Sequence, residues 1–220
     1  MKNSKEKVDA RIPQDQVAAL YDRLARVYDG WAALTESRAL SRALEHAPIS
    51  DGQIVLEVAA GTGLAFSEIA RRNPRGLSVG IDLSRKMLRK AKRRLLSLPE
   101  GSYVLVRGTA YTLPMRDESV DILINSYMFD LVPFSDMPAI LEEFRRVLRK
   151  SGHLVLVSSS VGDGWADRLY DAVYRSFPKI VGGCRRVDLG GRLQECGFTI
   201  LHRERYRQMF LSSEVIAARR

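Results

Sequence analysis

The stretch "IVLEVAAGTGLAF", residues 54–66, decides how this chain folds. An apolar, β-branched run leads into a small-residue loop, and a helical pattern follows it. A dinucleotide-binding loop after a first strand carries G-x-G-x-x-G. Here Ala59 stands at the loop's first glycine, Gly61 and Gly63 are present, and Phe66 occupies the place of the closing one. Gly61 and Gly63 leave the backbone open to a ligand, because no Cβ blocks its approach. The closing glycine permits close helix–strand packing around a bound pyrophosphate, so its loss argues against NAD. No Gly-Lys-Ser/Thr follows, and the P-loop pattern fails as well.

Strand and helix signals alternate downstream of the loop. Strands are predicted over 53–59, 77–83, 103–109, 120–127 and 152–160, with helices over 64–73, 84–98 and 137–150. A helix over 188–198, ending at Gly197, precedes "FTILHRERY" and "QMFLSSEVIAA", two strand-like runs spaced for an antiparallel pair. Upstream, residues 14–47 read as two helices, with Val17, Leu20, Leu24, Val27 and Trp31 in an apolar stripe. The expected fold is α/β: a Rossmann-like, doubly wound, mostly parallel sheet of seven strands with an antiparallel last strand and an N-terminal helical cap. One domain is expected over 1–220, with the cap at 1–50, the ligand-binding core at 51–160 and an acceptor-side helix and final strands at 161–220.

Bulk composition narrows the setting. Hydrophobic residues make up 45% and charged residues 28%, as in an ordinary soluble globule. No run is apolar enough to span a membrane, and the start "MKNSKEKVDARIPQDQ" does not read as a secretory signal. The two cysteines, Cys184 and Cys196, make no disulfide scaffold and suit a cytoplasmic, reducing compartment. His46, His153 and His202 fall in different elements without metal-ligand spacing, so no metal is expected. The net charge is +9, and its densest run, "SRKMLRKAKRRLLSL" at 84–98, reads as a solvated helix face or as a peripheral contact with anionic membrane. No basic strand interleaved with aromatics is present to stack bases, so nucleic acid is not favoured as a partner.

Asp82 ends the second strand, where a carboxylate can accept from ribose hydroxyls. With the loop, it suits an adenosine ligand. Four segments then resemble successive motifs of the class I S-adenosylmethionine-dependent methyltransferases: "VLEVAAGTG", "VGIDLSRKML", "GTAYTLPMRDESVDILINSYMFDLVP" and "EEFRRVLRKSGHLVLV". Order and spacing match across 54–157, and the nearest flavour is the ubiquinone/menaquinone-biosynthesis group, with small phospholipid N-methyltransferases also similar. "YDRLARVYDGW" resembles the segment that covers the cofactor in that group. The resemblance implies S-adenosylmethionine as the methyl donor and S-adenosylhomocysteine as product. Such a ligand has no pyrophosphate, which removes the need for the closing glycine.

Carried over, the resemblance implies these roles. Glu57 orients the loop and the methionine end, which the Ala59–Gly63 backbone and the Thr62 hydroxyl line. Asp82 takes the ribose, Leu83 and Met87 flank the adenine, and Thr109 and Ala110 meet its edge. Many relatives carry an acid at the position of Thr109, so its hydroxyl implies looser adenine binding. Asn125, Ser126 and Tyr127 lie beneath the sulfonium, and Tyr28 closes over the carboxylate. Methylation of carbon on a quinol needs a base, for which Tyr127, Asp130 and Tyr21, with Asp29, are candidates. Asp130 reads more readily as a helix cap or a solvated carboxylate, and Tyr127 as a packing aromatic.

The segment 164–189 places Trp165, Leu169, Tyr170, Val173, Tyr174 and Phe177 at helical spacing, either against the core or as an apolar acceptor wall. Arg185 and Arg186 read as a surface turn or a phosphate contact. The acceptor expected from the resemblance is a small lipophilic molecule, a quinol precursor or a phospholipid amine. A cofactor-binding module without turnover, or a methyltransferase acting on a polar small molecule or a macromolecule, stands as the alternative. The Asn-Pro-Pro-Tyr signature of amide or base methylases is absent at 125–128, which read "NSYM".

Overall fold

The computed structural model describes residues 9–98, 102–160, 165–177, 182–209 and 211–220, excluding the side chains of residues 165–169 and 171. Three helices open it: α1 (Gln14–Leu24), α2 (Tyr28–Thr35) and α3 (Ser37–His46). Strand–helix alternation follows as β1 (Ile54–Val58), α4 (Leu64–Arg72), β2 (Leu77–Asp82), α5 (Arg85–Arg94), β3 (Tyr103–Arg107) and β4 (Val120–Ser126). A single 3₁₀ turn (Phe129–Leu131) leads to α6 (Met137–Val147), β5 (Leu148–Ser159), α7 (Trp165–Ser176), α8 (Gly190–Glu195), β6 (Thr199–Gln208) and β7 (Leu211–Arg219).

The seven strands form one sheet in the order β3-β2-β1-β4-β5-β7-β6. Strands β1 to β5 pair in parallel, with Leu56 opposite both Val79 and Leu123, while β7 runs antiparallel to β5 and β6. The strand order reverses between β1 and β4, which opens a crevice at their carboxyl ends. Apolar cores cover both faces. One gathers Leu56, Leu123, Ile140, Phe144 and Leu193; the other gathers Val55, Phe66, Ile69, Ile124 and Val155. The outer strand β6 alternates exposed and half-buried residues and carries "HRERYRQ", charges that guard a free edge.

Two local outcomes differ from the sequence reading. The N-terminal segment forms three helices, because turns at Ala25–Val27 and Glu36 break the stripe and leave Val27 65% exposed. Only α1 and α2 overhang the crevice; α3 buries Ala39, Ala43 and Leu44 in the second core and belongs to the sheet's helical layer. Phe66, in place of the closing glycine, is fully buried over Gly80, where an added Cβ would lie 3.1 Å from its ring. The space a glycine would give on the helix is supplied here by a glycine on the neighbouring strand. Burying that phenyl group contributes roughly 1.5–3 kcal/mol.

Candidate active site

A cleft of about 790 Å³, counting its open mouth, lies at the carboxyl ends of β1, β2 and β4 under the cap. Its floor is set by the loop after β1. The Ala60 amide donates to the Ile81 carbonyl at 2.9 Å, and the Gly61 amide to Asp82 Oδ2 at 2.8 Å. Asp82 Oδ1 accepts from the Ser84 amide at 2.8 Å, so the carboxylate is fixed before any ligand binds. Burial raises its pKa against the pull of those two amides. Each oxygen keeps a further lone pair for a hydroxyl donor.

The backbone explains the residue types. Gly61 has φ of +56°, and its missing Cβ would meet nothing nearer than the Ala59 carbonyl oxygen at 4.0 Å, so a ligand can lie against it. Gly63 has φ of +77°, and a Cβ added to it would lie 3.0 Å from the Ala91 Cβ, so any side chain would press α4 against α5. Ala59 and Tyr127 hold φ of 61° and 58° without being glycine, two strained positions at adjacent strand ends.

Of the residues singled out in the sequence, Tyr28, Ala59, Gly61 and Asp82 line the cleft, as do Leu83, Met87, Thr109 and Ala110 beyond them. The Thr109 hydroxyl accepts from the Tyr111 amide at 3.3 Å. Ser126 and Tyr127 close the β4 end, and Tyr21 enters from α1. Others are placed elsewhere. The Thr62 hydroxyl donates to Asp29 and faces the cap, where Asp29 also meets Arg94 and Lys90, each at 3.0 Å. Asn125 is buried, and its amide donates to the Val58 carbonyl at 2.8 Å, clamping β4 to β1. Glu57 lies in a smaller recess of about 330 Å³ that shares Tyr28, Ala59, Gly61, Ser126 and Tyr127 with the cleft. Glu36, which no motif marks, lines the same recess.

Each of the candidate bases is already engaged by a protein partner. Asp130 is fully buried outside the cleft lining and accepts from the Ser159 amide at 3.0 Å, a structural role. Burial, only partly offset by that bond, raises its pKa to about 8. The Tyr127 hydroxyl is engaged with Ser213 at 2.8 Å and that of Tyr21 with Cys184 at 3.6 Å; burial pushes both well above the usual phenol range. Asp29 is held down by Thr62, Lys90 and Arg94 despite its partial burial.

Arg185 corrects both sequence readings. It is 2% exposed, and its guanidinium donates to the carbonyls of Phe129, Asp130 and Val132 at 3.3, 2.9 and 2.6 Å. It braces the segment that carries Leu131 and Val132 into the cleft. Tyr170 and Tyr174 of α7 are buried, Phe177 just past its end is 62% exposed, and none of the three lines the cleft. The side chains of Trp165 and Leu169 lie outside the described residues. His46 and His202, far apart in sequence, stack at 3.8 Å beside Glu204. Their planes lie within 25° of one another, which hinders both lone pairs from meeting one ion, and Glu204 already faces His202 and Arg42.

Comparison with known proteins gives the site its class. Residues 55–152 match the family described as "Methyltransferase domain". The chain is 31% identical over 172 residues to the demethylmenaquinone methyltransferase of Thermotoga maritima, covering 77% of this chain and 70% of that protein. It is 31% identical over 150 residues to the malonyl-acyl-carrier-protein O-methyltransferase of Marinomonas sp., covering 67% of this chain and 53% of that one. In fold it is similar to the geranyl diphosphate C-methyltransferase of Streptomyces coelicolor, with a TM-score of 0.75, 14% identity, and 96% of this chain and 99% of that one covered. The chain therefore belongs to the S-adenosylmethionine-dependent methyltransferases.

Proposed function

We propose that this enzyme methylates a small lipophilic acceptor, a quinol precursor in preference to a phospholipid amine. The observation that carries this reading is the charge of the cleft: among its described lining residues, Asp82 alone is charged. Asp82 belongs to the ribose side in this reading. What remains for the acceptor is mostly apolar, Val17, Ala18, Met128, Leu131, Val132 and Ile140, with the uncharged Gln14, Tyr21 and Tyr111 beside them. A phospholipid headgroup would bring a phosphate that no cation among the described lining residues meets, and Arg185 is committed to three carbonyls. The name of the Thermotoga relative supports a quinol-type acceptor.

The residues present fit S-adenosylmethionine, which supplies an activated methyl group on a sulfonium. Gly61 offers an open backbone face, Asp82 has free lone pairs, and Leu83 and Met87 give apolar walls for the adenine beside Thr109 and Ala110. The recess with Glu57 would take the methionyl end, with Tyr28 above it. Ser126 and Tyr127, at the end of β4, would lie between donor and acceptor. The protein's contribution is then alignment and exclusion of water, which can supply about 7–11 kcal/mol. With the candidate bases engaged by protein partners, a phenolic acceptor reacts once its own hydroxyl has ionised.

The exposed cations of α5, Arg85, Lys86, Arg89, Lys92 and Arg93, lie on the helix that packs beside α1 of the cap. They support a peripheral contact with an anionic membrane near the cleft mouth. The test incubates purified protein with methyl-labelled S-adenosylmethionine and a total bacterial lipid extract. Label in the organic phase, chromatographing with quinols, is the expected result. Label in phospholipid would overturn the preference for quinols, and counts confined to water would overturn the lipophilic acceptor.

A further inference from the structure

The pair Tyr-Asp occurs twice in the cap, at 21–22 and at 28–29. Both tyrosines line the cleft, with ring centroids 6.1 Å apart. Neither aspartate lines it; both meet α5 or the loops beside it instead. Asp22 Oδ1 accepts from the Ser84 hydroxyl and from the Lys86 amide at 3.0 Å, at the start of α5. Those bonds, the Ser84 hydroxyl foremost, hold its carboxyl below the usual carboxylate range. Asp29 Oδ1 accepts from the Thr62 hydroxyl, and its Oδ2 meets Lys90 and Arg94, each at 3.0 Å. Lys90 also donates to the Ala25 carbonyl, and Arg94 to the Thr62 carbonyl, both at 2.7 Å. The cap is thereby tied to the core at Ser84 and Thr62, each only 1% exposed. Ser84 supplies the amide that holds Asp82 Oδ1, and Thr62 follows Gly61, whose amide holds Asp82 Oδ2. Each cap aspartate grips one of the two backbone arms that orient Asp82.

We infer that Asp22 and Asp29 are positioning residues for the cofactor, tying the seated cap to the two arms that orient Asp82. This role rests on the cofactor reading above, with Asp82 on the ribose side, and adds two residues outside the cleft lining. With the cap seated, Ser84 and Thr62 are held and Asp82 keeps one orientation. With the cap lifted, both hydroxyls lose their carboxylate partners and the arms gain freedom. A ligand that needs the oriented carboxylate favours the seated cap, and the seated cap favours the ligand by the same factor. The two ties differ in kind. Asp22 works chiefly through hydrogen bonds, whereas Asp29 also pairs with two cations. The side chains of Asp29, Lys90 and Arg94 stay 32%, 30% and 28% exposed, so salt screens these pairs. S-adenosylhomocysteine carries one positive and one negative charge at neutral pH, so the ligand's own net charge gives salt little hold.

Calorimetric titration of the whole protein with S-adenosylhomocysteine at low and high salt tests this. Wild-type affinity is expected to weaken by about fivefold between about 0.05 M and about 1 M sodium chloride. Asp29→Asn should bind about fivefold more weakly at low salt and lose most of that salt response. Lys92→Gln removes an exposed cation of α5 outside the tie and should keep the wild-type response. Hydrogen exchange reads the linkage from the other side. Saturating ligand should slow amide exchange across residues 14–35 in the wild type, and much less in the double variant Asp22→Asn, Asp29→Asn. A lowered melting temperature with unchanged affinity, salt response and protection would make both aspartates merely structural and overturn the inference. A wild-type affinity indifferent to salt would overturn the Asp29 tie without any variant, even if the variants fold poorly. Equal loss of the salt response in Lys92→Gln would assign it to the field of the whole helix and overturn that tie as well. Failure of the wild type to bind S-adenosylhomocysteine would overturn the cofactor reading, and this inference with it.

Discussion

The Gly61 amide and the Asp82 carboxylate meet at 2.8 Å, so the loop after β1 is anchored to the end of β2 by the acid assigned to the ligand. Glycine 61 is free to turn its backbone, and Asp82 fixes how far it turns. The Ser84 amide holds the second oxygen at 2.8 Å, leaving the carboxylate one orientation. Preorganisation of this kind lowers the ordering cost when a ligand arrives.

Asp82→Ala should therefore weaken S-adenosylhomocysteine by about 1.5–3 kcal/mol, the range for hydrogen bonds to a charged group. Calorimetry at fixed pH reads it directly. An unchanged dissociation constant would remove Asp82 from the ribose role. Asp82→Asn should rescue little, because its amide nitrogen would have to face one of two donating backbone amides.

Ala59 sits at φ of 61°, a left-handed conformation that a Cβ disfavours by roughly 1–2 kcal/mol. Ala59→Gly relieves that strain but adds freedom to the unfolded chain, so the net gain expected is about 0.5–1 kcal/mol. Thermal unfolding would show it as a raised midpoint. A lowered midpoint would mean that the methyl group packs usefully enough to outweigh its strain.

Sequence periodicity carried the fold because the parallel strands are short, doubly buried apolar runs between amphipathic helices, a pattern with few competing topologies. Gly61 and Asp82 were legible for the same reason: their roles depend on backbone position, which the strand ends set. Glu36 was not. It follows Thr35 in "TESR", which reads as the polar face of a helix, and only the turn between α2 and α3 carries it under Tyr28. Arg185 was hidden differently, since a cation after two glycines looks like a surface turn until the 129–132 carbonyls close around it. Thr62 was legible as a loop residue, but its hydroxyl direction depends on Asp29, which the cap brings from outside the motif.

Arg185→Ala would leave the Phe129, Asp130 and Val132 carbonyls without their side-chain donor in the protein interior. The Phe129 and Asp130 carbonyls still accept from the backbone amides of Val132 and Arg185, so the Val132 carbonyl is the group left orphaned, and a loss of about 1–3 kcal/mol is expected. Arg185→Lys should recover only part, because an ammonium lacks the guanidinium's planar fork. Urea unfolding measures both variants. A loss below about 1 kcal/mol for Arg185→Ala would show that water replaces the guanidinium, and the brace would then be dispensable to the cleft wall.

Asp130 makes stability depend on pH with a sign that can be worked out. Its folded pKa is raised to about 8 by burial, against about 3.9 for a free aspartate. Between those values the folded chain keeps a proton that the unfolded chain has released. The stability linked to this group is complete below about pH 4 and is lost as pH rises toward 8, by up to about 1.4 kcal/mol per unit. Asp130→Asn keeps an oxygen to accept from the Ser159 amide but cannot ionise. The variant should gain on the wild type steadily from pH 5 to pH 8, as read by urea midpoints at both ends. Glu36 pushes in the same direction in both proteins, so the difference between them isolates Asp130. Parallel curves would mean that Asp130 is ionised in the folded chain and that Arg185 and Ser159 hold it so.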